Sequence, residues 1–245
     1  MTPQGRRIAY HRSPGAGPGV VFLSGFASDM EGTKAVWLNA WAQRAGRAFV
    51  RFDYSGHGQS SGAFADGCIG DWFEDACAAL LMLTDGPQVL VGSSMGGWIA
   101  LLLARALPER VAGMALIAAA PDFTEDSLWA GFSLAERSEL DRSGAVSRPS
   151  AYGAPQVFTR RLIEEGRGRL VLREPLPLPF PVRLLQGTAD QDVPPGVALR
   201  LLEHADCPDM ALTLVKGADH RFSTPDCLAR IGAAIDEVTA AAQAR

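Results

Sequence analysis

The stretch Val89-Leu-Val-Gly92-Ser93-Ser94-Met95-Gly96-Gly97 constrains this chain more than any other part of it. An apolar run short enough for a buried strand ends at a glycine, and helix-forming residues begin almost at once. The backbone must double back between the two. Side chains at Gly92 and Gly96 would collide in such a turn, and the residue between them is held in a strained conformation with its side chain projecting. That residue is Ser94. The same glycines match the spacing of a phosphate-binding loop, but Trp98 stands where such a loop requires lysine. The pattern therefore points to a serine nucleophile. The Met95 N–H, at the positive end of the following helix, is one donor to a developing oxyanion.

Similar apolar runs recur at Gly19 to Leu23, Ala48 to Phe52, Gln88 to Val91, Met114 to Ala118, Val182 to Gln186 and Ala211 to Val215. They are continuously apolar rather than alternating, as strands buried on both faces are. Between them the spacing predicts helices over Lys34 to Ala45, Ile69 to Thr84, Met95 to Leu107, Gly196 to His204 and Asp226 to Ala242. Such alternation implies an α/β fold with a mostly parallel central sheet and helices on both faces. Ile8 to His11 is a candidate antiparallel edge strand. The alternation stops between Asp122 and Pro181, a stretch too long for an ordinary connection. It reads as a small helical cap inserted at about 122–181 of a single domain spanning 1–245. Within it, the run Pro175-Leu-Pro-Leu-Pro-Phe-Pro181 favours an extended return to the sheet.

A serine hydroxyl needs a base, and in an order where the base follows the nucleophile only His204 and His220 qualify. His220 lies in a polar loop, Lys216-Gly-Ala-Asp-His220-Arg221, just after the last expected strand. His204 closes a helix instead. The histidine in turn needs a carboxylate to fix its tautomer. Leu184-Leu-Gln-Gly187-Thr-Ala-Asp190-Gln-Asp192-Val-Pro194 offers two. Asp190 is the preferred acid, with Asp192 a candidate cap of the next helix; Asp219, adjacent to the histidine, is expected to serve its own loop. Leu23-Ser24-Gly25-Phe26 supplies the turn where a second oxyanion N–H is expected, that of Phe26. Asp53-Tyr-Ser-Gly56-His57-Gly58-Gln-Ser60 lacks dinucleotide spacing and reads as a structural turn. Leu128, Trp129 and Phe132 are candidates for an apolar substrate pocket, or simply cap packing.

Composition narrows the partners. With 27 acidic and 23 basic residues the net charge is −4, which gives no broad attraction to nucleic acid or anionic membranes. No run approaches the roughly 18 apolar residues of a membrane span. Four dispersed cysteines suggest neither a zinc site nor a redox dithiol. These features lead to the expectation of a cytoplasmic protein with no metal and no cofactor. A basic bias from Arg148 to Arg173 fits either an anionic leaving group or a solvated face.

With these residues assembled, the chain resembles the α/β-hydrolase superfamily. Phe22-Leu-Ser-Gly-Phe-Ala-Ser-Asp29-Met-Glu-Gly32-Thr33-Lys34-Ala35, Arg51-Phe-Asp-Tyr-Ser-Gly56 and Asp85 to Trp98 are similar to a subgroup known for palmitoyl-protein thioesterase and acyl-glucuronide esterase activity. The resemblance implies Ser94, Asp190 and His220 as the triad. It also implies an ester, a thioester or an acylated protein as substrate. A haloperoxidase-like or carbon–carbon bond hydrolase shares this pattern, as does a non-catalytic relative of the fold. The cap matches weakly, so substrate identity transfers least. Lys34 reads as one member of a helix-end ion pair.

Overall fold

The computed structural model describes residues 1–150 and 153–244. In chain order they form β1 (Tyr10–Ser13), β2 (Ala16–Leu23), α1 (Thr33–Arg44), β3 (Arg47–Phe52), α2 (Ile69–Leu83), β4 (Gln88–Ser93), α3 (Met95–Ala106) and β5 (Val111–Ile117). Next come α4 (Leu134–Ser143), β6 (Ala145–Ser150), β7 (Gly153–Thr159), α5 (Arg160–Arg167) and β8 (Leu176–Pro177). The chain closes with β9 (Val182–Gly187), α6 (Pro195–His204), β10 (Ala205–Asp206), β11 (Met210–Val215) and α7 (Pro225–Gln243).

Seven strands make one sheet in the order β1-β3-β2-β4-β5-β9-β11. All neighbours are parallel except β1, which runs antiparallel to β3. Side chains of successive strand residues point to opposite faces. Val21, Leu23 and Leu90 therefore join one core, with Trp72 of α2 and Trp98 of α3. Val20, Phe22, Val89 and Val91 join the other, with Leu38 of α1 and Ile231 and Ile235 of α7. Two cores on two faces explain why these strands are continuously apolar. Each such side chain, fully buried, contributes about 1.5–3 kcal/mol.

The expected helices and core strands lie within a few residues of the observed ones. The edge strand is displaced toward the C-terminus, at β1. The segment from 122 to 181 departs further from expectation. Besides α4, α5 and a π-helical turn at Thr124–Trp129 it holds an antiparallel hairpin, β6 paired with β7, so it is not simply helical. Positions 151 and 152 within it lie outside the described residues. Pro149 falls at an irregularity of the ladder between Arg148 and Ser150, where a missing N–H costs little. The proline-rich return is extended as expected, and β8 pairs with β10.

The carboxyl ends of the core strands are nearly level. Leu23 stands opposite Gly92, Ser93 opposite Ile117, and Gly187 opposite Val215. The loops that leave β2, β4, β9 and β11 thus gather along one edge, the usual place for a site in an open α/β sheet.

Candidate active site

Ser94 has φ 54° and ψ −119°, between the end of β4 and the start of α3. That conformation costs about 1–3 kcal/mol and persists only where surroundings enforce it. They do so through backbone contact. A Cβ on Gly92 would lie 2.5 Å from the Gly96 carbonyl oxygen, and one on Gly96 would lie 2.0 Å from that of Leu23. The turn is also tied by hydrogen bonds: Ser94 N–H donates to Ile117 (2.9 Å), while its carbonyl accepts from Gly97 (2.9 Å) and Ala120 (3.1 Å).

Asp190 and His220 arrive from separate loops that touch each other. A Cβ on Gly187 would lie 2.2 Å from the Ala218 carbonyl oxygen, so glycine is what lets the two loops close. Thr188 N–H then donates to Val215 and Ala189 N–H to Ala218, each at 3.0 Å. This brings His220 Nδ1 to 2.9 Å from Asp190 Oδ2 and Nε2 to 3.1 Å from Ser94 Oγ. With the proton on Nδ1 donated to Asp190, Nε2 is left as the acceptor for the serine proton.

Asp190 is 4% exposed and fully bonded. Its Oδ1 accepts from the N–H groups of Asp192 (3.0 Å) and Val193 (2.8 Å), and Oδ2 accepts from Gln186 Nε2 (2.9 Å) as well as from His220. Burial opposes ionisation, but the His220, Val193 and Gln186 bonds outweigh it and hold the carboxyl below its ordinary value. The charged form is thus favoured by folding. That stabilisation is present above the unfolded carboxylate value of about 3.9 and is lost as pH falls through the lowered folded one. Gln186 had no distinguishing signal in the sequence beyond its place at a strand end.

Ser94 and His220 open onto a cavity of about 660 Å³ whose wall also includes Phe26 and Met95. Met95 is the first residue of α3, so its N–H has no acceptor within the helix. The Phe26 ring is packed edge-on against Phe64 (4.8 Å between centroids) and Phe123 (5.7 Å), and stacks on Phe158 of β7 at 5.7 Å. Phe123 and Phe158 line the cavity, as does Leu128. Trp129 and Phe132 do not. The guanidinium groups of Arg137 (4.6 Å) and Arg167 (4.7 Å) both pack over the Trp129 ring, and Arg148 sits 4.6 Å over Phe132. Of the three pocket candidates only Leu128 is on the cavity wall; the other two pack the covering segment together.

The remaining candidates have structural places. The carboxylate of Asp53 accepts from Met30 and Gln59 N–H, and a Cβ on Gly58 would lie 2.2 Å from it. His57 is buried among Tyr54, Phe64 and Trp72 with Nδ1 at 3.2 Å from the Ser55 carbonyl. Burial lowers its pKa, with the Ser55 bond opposing. Asp219 Oδ1 accepts from Phe222 N–H within its own loop. His204 ends α6 and bonds the Glu174 carbonyl at 2.8 Å. Asp192 does not cap α6 as expected, because the N-cap is Pro194. Asp190, Asp192 and His220 hold ligand-type atoms within 4.8 Å of one another; the Asp190 oxygens and both His220 nitrogens are engaged in the bonds given above. The cysteines are unbridged, and burial pushes the Cys68 and Cys77 thiols up to about 12 and 11.

A family model described as the alpha/beta hydrolase fold matches residues 18–146. Palmitoyl-protein thioesterase ABHD10, mitochondrial, of Rattus norvegicus is 36% identical over 222 residues, 90% of this chain and 74% of that protein. Among solved structures, a protein described as a hydrolase from Agrobacterium vitis S4 superposes with TM-score 0.94 at 43% identity, covering 97% of this chain and 96% of that one. Mouse alpha/beta hydrolase domain-containing protein 10 superposes with TM-score 0.87 at 35% identity, covering 94% and 92%. The rat, mouse and human relatives are all named mitochondrial, which overturns the expectation of a cytoplasmic location drawn from composition. No helix among the described residues is long and apolar enough to cross a membrane.

Proposed function

This chain belongs to the alpha/beta hydrolase fold family as an enzyme of the esterase and thioesterase kind, and from that premise we propose that Ser94 cleaves carboxylic esters or thioesters through an acyl-enzyme. His220 Nε2 takes the Ser94 proton as Oγ adds to the substrate carbonyl. The Phe26 and Met95 N–H groups donate to the oxyanion, and Asp190 holds the imidazolium. Collapse expels the alcohol or thiol, which leaves with the proton from His220. Water then attacks the acyl-enzyme with His220 again as base, and the acid departs.

The observation that carries this reading is the continuous row Ser94 Oγ, His220 Nε2, His220 Nδ1, Asp190 Oδ2, with steps of 3.1 and 2.9 Å. The aromatic wall of Phe26, Phe123 and Phe158 favours an apolar acyl group, in keeping with the thioesterase relatives. The substrate is an ester or thioester of a small molecule or an acylated protein. In this reading residues 1–245 act as one domain, and the segment from 122 to 181 is a cap that closes the acyl site.

The test is hydrolysis of a 4-nitrophenyl ester by Ser94→Ala. The expected result is a loss of about 10³-fold or more with thermal stability retained. Undiminished hydrolysis would refute the nucleophile, and equal inertness of the parent protein would favour a non-catalytic relative of the fold.

A further inference from the structure

The two oxyanion donors are held in unequal ways. Met95 N–H belongs to the turn fixed by Gly92 and Gly96 and by the bonds of Ser94. Phe26 lies in a loop with much less of its own to fix it. Beyond the sheet ladders, and among the described residues, the backbone bond of residues 25–28 is the one from Ser28 N–H to the Gly25 carbonyl, at 3.2 Å. Ala27, next in the chain, has φ 53°, a conformation that a residue with a side chain keeps only where its surroundings enforce it.

The surroundings here are four aromatic rings packed on that of Phe26. Phe64 and Trp72 meet it edge-on at 4.8 and 5.8 Å. Both are pinned beneath the sheet edge: they stack on each other, both pack against the buried His57 ring, and Trp72 Nε1 donates to the Ser55 carbonyl at 3.1 Å. Phe123 meets it edge-on at 5.7 Å and packs in turn on Trp98 of α3. The fourth ring, Phe158, lies flat on Phe26 with 13° between the planes. It comes from the β6–β7 hairpin, which is tied to α4. Arg148 bonds Glu136 and the Gly131 carbonyl, and Arg160, just after β7, donates to the Leu140 and Asp141 carbonyls. Phe158 is thus the ring through which the hairpin bears on the loop that carries the second oxyanion donor.

We infer that Phe158 is a positioning residue: stacked on Phe26, it holds the Phe26 N–H where the oxyanion forms, so the covering hairpin takes part in transition-state stabilisation besides walling the acyl site. The inference rests on the hydrolase reading above. Attack of Ser94 on the substrate and attack of water on the acyl-enzyme both pass through an oxyanion, so a displaced donor slows both steps. Its loss falls on kcat and does not depend on acyl length. A ring that only walls the site would act through KM, and only on chains long enough to reach it.

Phe158→Ala separates the two roles when read with 4-nitrophenyl acetate, 4-nitrophenyl octanoate and two ketones of equal chain. To the carbonyl of 1,1,1-trifluorodecan-2-one Ser94 Oγ adds, its proton passing to His220, and a stable oxyanion results; decan-2-one gives no such adduct. Removal of a donor costs about 10²–10³-fold, so its displacement should lower kcat by about 10–100-fold for acetate and octanoate alike. The preference for the fluorinated ketone over decan-2-one should fall by about tenfold or more. An acetate kcat equal to that of the parent, or an equal loss of affinity for the two ketones, would overturn the inference alone. Should Phe158→Ala not fold, Phe158→Leu, which keeps apolar volume without the flat face, is judged by the same two readings, with a kcat lower by about 5–20-fold expected. A parent protein that turns over neither ester and does not prefer the fluorinated ketone would overturn the hydrolase reading and this inference with it.

Discussion

At the carboxyl edge of the sheet, a methyl group added to Gly96 would meet the Leu23 carbonyl oxygen at 2.0 Å; in the covering segment, one added to Gly144 would meet nothing within 4 Å. The contrast extends beyond these two positions. The turns that carry Ser94, Asp190 and His220 are set by backbone lying against backbone, at Gly92, Gly96 and Gly187. The segment from 122 to 181 has its own β6–β7 ladder and close contacts at Gly131 and Gly166, but is tied largely by side-chain pairs, such as Arg148 with Glu136 and Arg167 with Glu125. Backbone contact admits almost no substitution and leaves little freedom. Side-chain pairing has many equivalent solutions, so the covering segment is free to vary with substrate while the edge beneath it is not.

The comparison is sharpened most by striking the edge without touching its backbone. Asp190→Asn keeps the shape but loses the charge that opposes the imidazolium and fixes its tautomer. It should lower kcat by about 10³–10⁴-fold, with some fall in melting temperature from the lost carboxylate bonds; steady-state kinetics beside calorimetry decide this. A loss below tenfold would show that the Asp190–His220 bond is not part of the chemistry.

The root of the covering segment should respond in the opposite way. Asp122 is fully buried, and its carboxylate accepts from Val171 and Leu172 N–H at 2.8 and 3.0 Å. Burial keeps its pKa above the ordinary carboxylate value despite those bonds. Asp122→Ala orphans two buried donors, a cost of about 2–5 kcal/mol, which thermal unfolding should report as a fall of about 5–15 °C. Turnover per folded molecule should fall by less than about tenfold. Unchanged stability with lost turnover would reverse the roles assigned to the two regions.

The smallest effects distinguish residues within the segment. Leu128→Ala should shift the preferred acyl length, raising KM for octanoyl over butyryl esters by a few-fold. Trp129→Ala should instead cost stability and leave that preference in place. An equal shift in acyl preference from both would mean that the cation-bound Trp129 reaches the substrate after all.

The same contrast accounts for what was legible in the sequence. Glycines mark close backbone approach, so Gly92, Gly96 and Gly187 located the turns that carry Ser94 and Asp190, and loop position located His220. Continuous apolar runs located the strands because each is buried on two faces. The hairpin β6–β7 was hidden because Pro149 and Pro155 argue against strands, although a bulged two-stranded ladder tolerates them. With it was hidden Phe158, whose ring reaches Phe26. Trp129 and Phe132 were ambiguous for a related reason: an aromatic side chain looks alike in sequence whether it faces a cavity or an arginine. Lys34 was expected in a helix-end ion pair, but among the described residues it forms none and donates to the Arg221 carbonyl, which its position near a helix start does not reveal.

The central claim, that one serine at the β4–α3 turn carries the reaction, is tested most directly by locating a covalent adduct. Treatment with a fluorophosphonate followed by peptide mass spectrometry should show a single modified residue, Ser94, appearing in step with loss of ester hydrolysis and absent from His220→Ala on the same time scale. Modification of another residue in step with that loss, or full hydrolysis after Ser94 is blocked, would contradict it.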